Sequence, residues 1–196
     1  MGALLPVPAD RRNRADPHRR VNRHSDETWT LRLARPGDAD ALPAIERSAG
    51  KMFASLPDFA WVADHEPIPA ETHRRHIARG HCLVACAGDA PVGFLASEPF
   101  GRELHIREMS VVPEWQGRGI GAALVRACMI DARNAGFLAL TLTTFREVPW
   151  NAPFYRRLGF ADVDPASHDR LAQVLADETE GGFSPESRVA MTLALG

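Results

Sequence analysis

Lysine is nearly missing from this 196-residue sequence: of 23 basic residues, only Lys51 is a lysine. Such an arginine bias points to a GC-rich, bacterial source and says nothing of chemistry. A large net charge of either sign is missing too. The net charge is −2 and the pI ≈ 6.4, so no nucleic acid or anionic membrane is expected as a partner. Cysteine is scarce and odd in number, at Cys82, Cys86 and Cys128. That count suits a reducing, cytoplasmic compartment. Cys82 and Cys86 share one apolar run. If the run is a strand, their Cα atoms lie ~13 Å apart, too far for a disulfide. All three read as small buried hydrophobes. No apolar stretch approaches the roughly 20 residues of a membrane helix. No apolar segment with a small-residue cleavage site stands at the start, so no signal peptide is expected.

What is present divides into a leader and one domain. Residues 1–27 carry Arg11, Arg12, Arg14, Arg19, Arg20 and Arg23 among Pro and Asp, with no periodicity. They read as a disordered leader or a weak anion-binding arm. Residues 28–196 are long enough to bury a core. Strands are expected at 29–34, 81–87, 91–98, 103–112, 137–145, 160–163 and 188–195. Helices are expected at 39–50 behind an Asp38 cap, 70–79, 119–135, 152–158 behind Asn151, and 166–178. Residues 53–66 read as irregular and aromatic. Early hairpins and later helical connections imply a mixed α/β sheet with helices on both faces.

The most specific stretch is Met109-Ser110-Val111-Val112-Pro113-Glu114-Trp115-Gln116-Gly117-Arg118-Gly119-Ile120-Gly121-Ala122. An apolar-alternating strand turns at Pro113 into a glycine-rich helix start. Such a start presents bare N–H groups at the positive end of the helix dipole, which holds phosphate or pyrophosphate. A Rossmann dinucleotide loop would place its glycines directly at the strand end and an acid at the end of the next strand. Here Pro113 to Gln116 intervene, and the next strand ends Thr143-Thr144-Phe145.

With Gln116-Gly117-Arg118-Gly119-Ile120-Gly121 and the later Phe154-Tyr155-Arg156-Arg157-Leu158-Gly159-Phe160, residues 29–195 resemble the GCN5-related N-acetyltransferases, the GNAT superfamily. The first segment fits that family's Q/R-x-x-G-x-G/A motif and the second its F-Y-x-x-x-G-F signature. The resemblance implies a twisted, mostly antiparallel sheet of about seven strands, with the fourth and fifth splayed around acetyl-CoA. It implies a bulge near Met109 to Val111, whose freed backbone pairs with pantetheine. Met109, Ser110 and Val111 would thus bind the acyl-CoA. Gln116, Gly117, Arg118, Gly119, Ile120, Gly121 and Ala122 would take its pyrophosphate. Phe154 would add a contact. Many members have an asparagine seven residues before the tyrosine; Val148 stands there. Asn151, four before it, either contacts CoA from a shifted turn or caps its helix.

The implied reaction is direct acetyl transfer to an amine, with one group accepting a proton and another supplying one to sulfur. Tyr155 matches the tyrosine that protonates the thiolate in several members, or is a core aromatic. Three bases stay open. His105 aligns with a strand position where some members carry a catalytic Glu or His, and alternation puts it on the opposite face from Glu108. Glu108 lies next to the expected bulge. Glu46 sits on the first helix. Some members place a Glu late in the fifth strand, where this chain has Thr143.

For the acceptor, Phe53, Phe59, Trp61 and Trp150 could form aromatic walls, and Asp58, Asp64 and Glu66 could attract an ammonium. Ordinary loop packing is the alternative. The expected partner is a small primary amine or a peptide N-terminus. No metal is expected. A homodimer is common among similar proteins. A non-catalytic acyl-CoA sensor is the main rival function, and a nucleic-acid-directed role for the Arg-rich leader a weaker one.

Overall fold

The computed structural model describes residues 28–196, so the expected leader at 1–27 lies outside the described residues. Seven strands form one sheet: β1 (Thr30–Leu33), β2 (Leu83–Ala87), β3 (Ala90–Phe100), β4 (Glu103–Val111), β5 (Ala139–Phe145), β6 (Ala161–Asp162) and β7 (Arg188–Ala194). Their order is β1-β2-β3-β4-β5-β7-β6, and only β4 and β5 run parallel. The helices are α1 (Leu42–Gly50), α2 (Ala70–Ala78), α3 (Ile120–Asn134), α4 (Ala152–Arg157) and α5 (Asp169–Glu180). The mixed α/β architecture is the one expected.

Strand alternation sorts side chains to two faces. Leu104, Ile106, Leu140 and Leu142 join a core with Ile120, Leu124 and Val125 of α3 and Tyr155 of α4. Val84, Phe94 and Ala96 point the other way, to Leu42 and Ile45 of α1 and Ile77 of α2. On that second face α5 sits over β5, where Arg170 reaches Thr141. Each fully buried leucine contributes about 1.5–3 kcal/mol by leaving water. Along α3, Ile120, Leu124, Val125, Cys128 and Ala132 are the buried residues, a helical stripe. Gly136, at φ 83°, ends it: its N–H donates to Arg133 O at 3.0 Å, and that of Phe137 to Ala132 O at 3.0 Å.

Three local expectations change. Asp38 does not cap α1, whose N-cap is Ala41. Its carboxylate instead accepts both Arg32 nitrogens, at 2.7 and 2.8 Å, and the Arg35 N–H at 2.6 Å. A bidentate arginine outcompetes a helix terminus. Residues 51–64 are not irregular but form two short 3₁₀ segments, Lys51–Ser55 and Pro57–Asp64. The bulge falls earlier than expected. Ala96 pairs with Glu108 and Ser97 with Ile106, leaving Arg107 as the extra residue. That insertion resets the alternation. His105 and Glu108 therefore share one face, not opposite faces.

Parallel pairing of β4 with β5 covers only Glu103 to His105 against Ala139 to Thr141. Beyond it the strands part. β5 keeps its other edge paired with β7 over seven residues, so it stays in the sheet. The separation of β4 from β5 positions the site.

Candidate active site

Where β4 and β5 separate lies a cavity of about 820 Å³ that passes between the two faces of the sheet. Its β4 wall offers backbone. Val112 donates to Val92 O on β3 at 3.0 Å, so the alternate residues Val111 and Met109 turn their backbone groups toward the gap. The Val111 carbonyl is already taken by Gln116 Nε2 at 2.8 Å. Gln116 thus holds the turn against the strand.

The glycine turn enters the cavity next. Gly117 and Gly119 have φ of 72° and 79°, a left-handed backbone that other residues resist. Gly119 is the N-cap of α3 and contributes no capping side chain. Among the described residues, no N–H from Gly117 to Ala122 has a hydrogen-bond acceptor. The result is an anion cradle at a helix N-terminus. Gly121 packs against Met109 and Phe154, where an added Cβ would come within 3.5 and 3.6 Å.

From α4 come Asn151, Phe154 and Tyr155. Asn151 is the N-cap residue but makes no side-chain cap. Its Nδ2 donates to Thr144 Oγ1 at 2.7 Å, and its buried Oδ1 has no partner among the described residues. Tyr155, the chain's one tyrosine, is buried between Phe154 and Phe160. Among the described residues its hydroxyl has no hydrogen-bond partner. Burial and the nearby Glu108 carboxylate raise its pKa, so the phenol stays protonated.

Two carboxylates meet on the opposite face. Glu108 accepts a hydrogen bond from Ser110 Oγ at 2.7 Å. Burial and the charge of Glu46 push it up to about 7, against that hydrogen bond. Glu46 accepts the Ile68 N–H at 3.1 Å, and the fully buried His73 ring lies 3.7 Å from it. Beyond the carboxylates the wall is aromatic. Phe53 packs against Phe145 and Trp150 at 5.4 and 5.6 Å, and Phe183 against Phe145 at 5.8 Å. Arg188 lies over Phe145 and Phe183, and Glu178 takes its Nε and an Nη at 2.9 and 2.8 Å.

Of the expected residues, the cavity brings together Glu46, Phe53, Glu108, Met109, Ser110, Val111, Gln116, Gly117, Gly119, Ile120, Gly121, Ala122, Trp150, Asn151, Phe154 and Tyr155. Three stand apart. Arg118 lies over the Trp115 ring at 4.5 Å. Trp61 packs on Phe183 at 5.2 Å, outside the lining. His105 is buried at the paired end of β4, its Nδ1 3.0 Å from Thr141 Oγ1. Burial and Arg170 push it down to about 3, so it is neutral and closed off. Phe145, Glu178, Phe183 and Arg188 were not expected. Their spacing carries no motif, and only the fold of the last strand brings them to the gap.

The comparisons with known proteins agree with this geometry. An "Acetyltransferase (GNAT) domain" family model matches residues 78–162, which span β2 to β6 and both motifs. That match and the relatives below support the GNAT superfamily. It is 29% identical over 126 residues to N-alpha-acetyltransferase RimI of Mycobacterium tuberculosis, covering 61% of this chain and 77% of that one. It is 28% identical over 155 residues to aminoglycoside N(6')-acetyltransferase type 1 of Stenotrophomonas maltophilia, covering 72% and 92%. Its fold matches the PaiA N-acetyltransferase of Thermoplasma acidophilum in complex with coenzyme A, with a TM-score of 0.63 at 17% identity over 85% and 99% of the two chains. The GNAT likeness and the gap between β4 and β5 point to acyl-CoA chemistry. Among the described residues no helix is long and apolar enough to cross a membrane, and no side-chain cluster has metal-ligand form.

Proposed function

We propose that this protein is an acetyl-CoA-dependent N-acetyltransferase acting on a primary amine, with Glu108 as general base and Tyr155 as general acid. The observation that carries the reading is the pair itself: a carboxyl whose pKa burial raises on one side of the gap and a protonated phenol on the other, beside the glycine turn at the start of α3. The donor supplies a thioester carbonyl. The N–H groups of Gly117 to Ala122 bind its pyrophosphate, the open backbone of Met109 pairs with its amides, and Asn151 Oδ1 accepts one more N–H. Glu46 and Glu108 draw the ammonium in from the α1 side. Glu108 takes the proton from nitrogen, directly or through water. The C–N bond forms as the C–S bond breaks, the Tyr155 hydroxyl gives its proton to sulfur, and the second proton shed by nitrogen restores the phenol. A pKa near neutrality suits Glu108 to that work. The Val111 N–H faces the gap and polarises the carbonyl.

His105 is the less suitable base because its ring is enclosed. Glu178 reaches Thr143, where some members carry a glutamate, with a 2.5 Å hydrogen bond, but Arg188 neutralises it. The buried free cysteines fit a reducing cytoplasm. Incubation with acetyl-CoA and an amine panel, read as free thiol, tests the proposal. Amine-dependent release supports it. Acetyl-CoA binding without release from any amine favours the sensor function.

A further inference from the structure

The acceptor wall combines three features that together narrow the class of amine. The first is unbalanced negative charge. Three arginines line the cavity and each lies near a carboxylate: Arg188 with Glu178 at 2.8 Å, Arg47 with Glu66 at 3.1 Å, and Arg107 at 3.9 Å from Glu98, which it shares with Arg79. Glu46 and Glu108 have no arginine partner among the described residues. The wall therefore receives a cation and has no unpaired guanidinium for a carboxylate carried beside it.

The second feature is flat apolar surface. Phe53, Phe145, Trp150 and Phe183 line the same cavity and pack edge to face or tilted, at centroid distances of 5.4 to 5.8 Å. Arg188 lies over Phe145 and Phe183, so the apolar face beside the carboxylates is left to Phe53 and Trp150, suited to the body that carries the ammonium. The third is the shortage of free polar groups on this wall. Glu178 is held by Arg188 and Thr143, and Asn151 Nδ2 by Thr144. Trp150 Nε1 is buried on this wall with no partner among the described residues. It provides for one acceptor atom, and a body studded with hydroxyls would bury several of them unpaired.

We infer that the acceptor is a primary amine whose ammonium sits close to a flat apolar body, with no carboxylate next to the nitrogen and few hydroxyls. An arylalkylamine and the N-terminus of a peptide with an aromatic first residue share that chemistry. Amino acids and aminoglycosides do not. This inference rests on the acetyltransferase reading above.

The test measures kcat/KM at saturating acetyl-CoA for phenethylamine, phenylalanine amide, Phe-Gly-Gly amide, free phenylalanine and kanamycin. The expected order places phenethylamine or the amides about tenfold or more above free phenylalanine and kanamycin. The ratio of phenethylamine to Phe-Gly-Gly amide tells a free amine from a peptide end. Phe53→Ala and, separately, Phe183→Ala should lower kcat/KM for phenethylamine by a larger factor than that for ethylamine. Preference for kanamycin or free phenylalanine overturns the inference and leaves acetyl transfer standing. No turnover of any amine by protein that binds acetyl-CoA overturns both.

Discussion

The two ends of β4 face the same side of the sheet and treat their polar groups in opposite ways. At the paired end, Glu103 accepts His168 Nε2 at 2.8 Å and Arg170 Nη2 at 2.5 Å, Arg170 also donates to Thr141 at 2.8 Å, and Thr141 meets His105 at 3.0 Å. Polar groups there are engaged by one another, save Arg170 Nη1, which has no partner among the described residues, and the result is a clamp that joins β4, β5 and α5. Three residues on from His105, Glu108 faces a cavity beside another carboxylate. Trp150 Nε1 and Asn151 Oδ1 there have no partner among the described residues. Burial drives His105 down to about 3 and Glu108 up to about 7. Both shifts favour the neutral form, yet only Glu108 ends near the pH at which proton transfer is useful. Burial alone does not mark a site; burial with access to a ligand does.

Substitutions at the two ends separate these roles. Glu108→Gln should lower kcat by about 10²–10⁴-fold while acetyl-CoA affinity, read by calorimetry, stays within about twofold. An equal loss of binding would make Glu108 structural. Tyr155→Phe should cost about 10²-fold in kcat, with the smaller deficit for donors whose leaving thiol is more acidic. Gly119→Ala forces a side chain into a left-handed backbone, a strain of about 1–2 kcal/mol. The KM for acetyl-CoA should rise about tenfold, with kcat nearly unchanged. At the clamp, His105→Gln should leave kcat within about twofold and lower stability by about 1–3 kcal/mol through lost packing and a disturbed Thr141 hydrogen bond, measured by denaturant unfolding. A large kcat loss in His105→Gln would erase the contrast between the two ends.

The glycine turn, the alternating strands and the Phe154 to Phe160 signature were legible because each is local. Three glycines within five residues, Gly117, Gly119 and Gly121, report a turn whatever surrounds it. The bulge was not legible at its true place. Ile106-Arg107-Glu108 contains no glycine, and one extra residue is enough to exchange the faces of everything after it. Asp38 looked like a cap until Arg32, six residues earlier, was brought alongside it by β1. The aromatic wall was half legible. Phe53 and Trp150 stood out in loops, while Phe145 and Phe183 acquire a role only when β7 closes against β5.

The central claim is that the open end of β4 carries the proton transfer. The pH profile of kcat/KM tests it most directly, measured for the wild type, Glu46→Gln and His105→Gln with one amine acceptor. Glu108 accepts a proton only when ionised, so kcat/KM should rise with pH through about 7. Removing the charge of Glu46 lowers the Glu108 pKa, so the acid limb of Glu46→Gln should move to lower pH, and that of His105→Gln should coincide with the wild type. An acid limb that stays in place in Glu46→Gln and shifts or vanishes in His105→Gln would contradict the account.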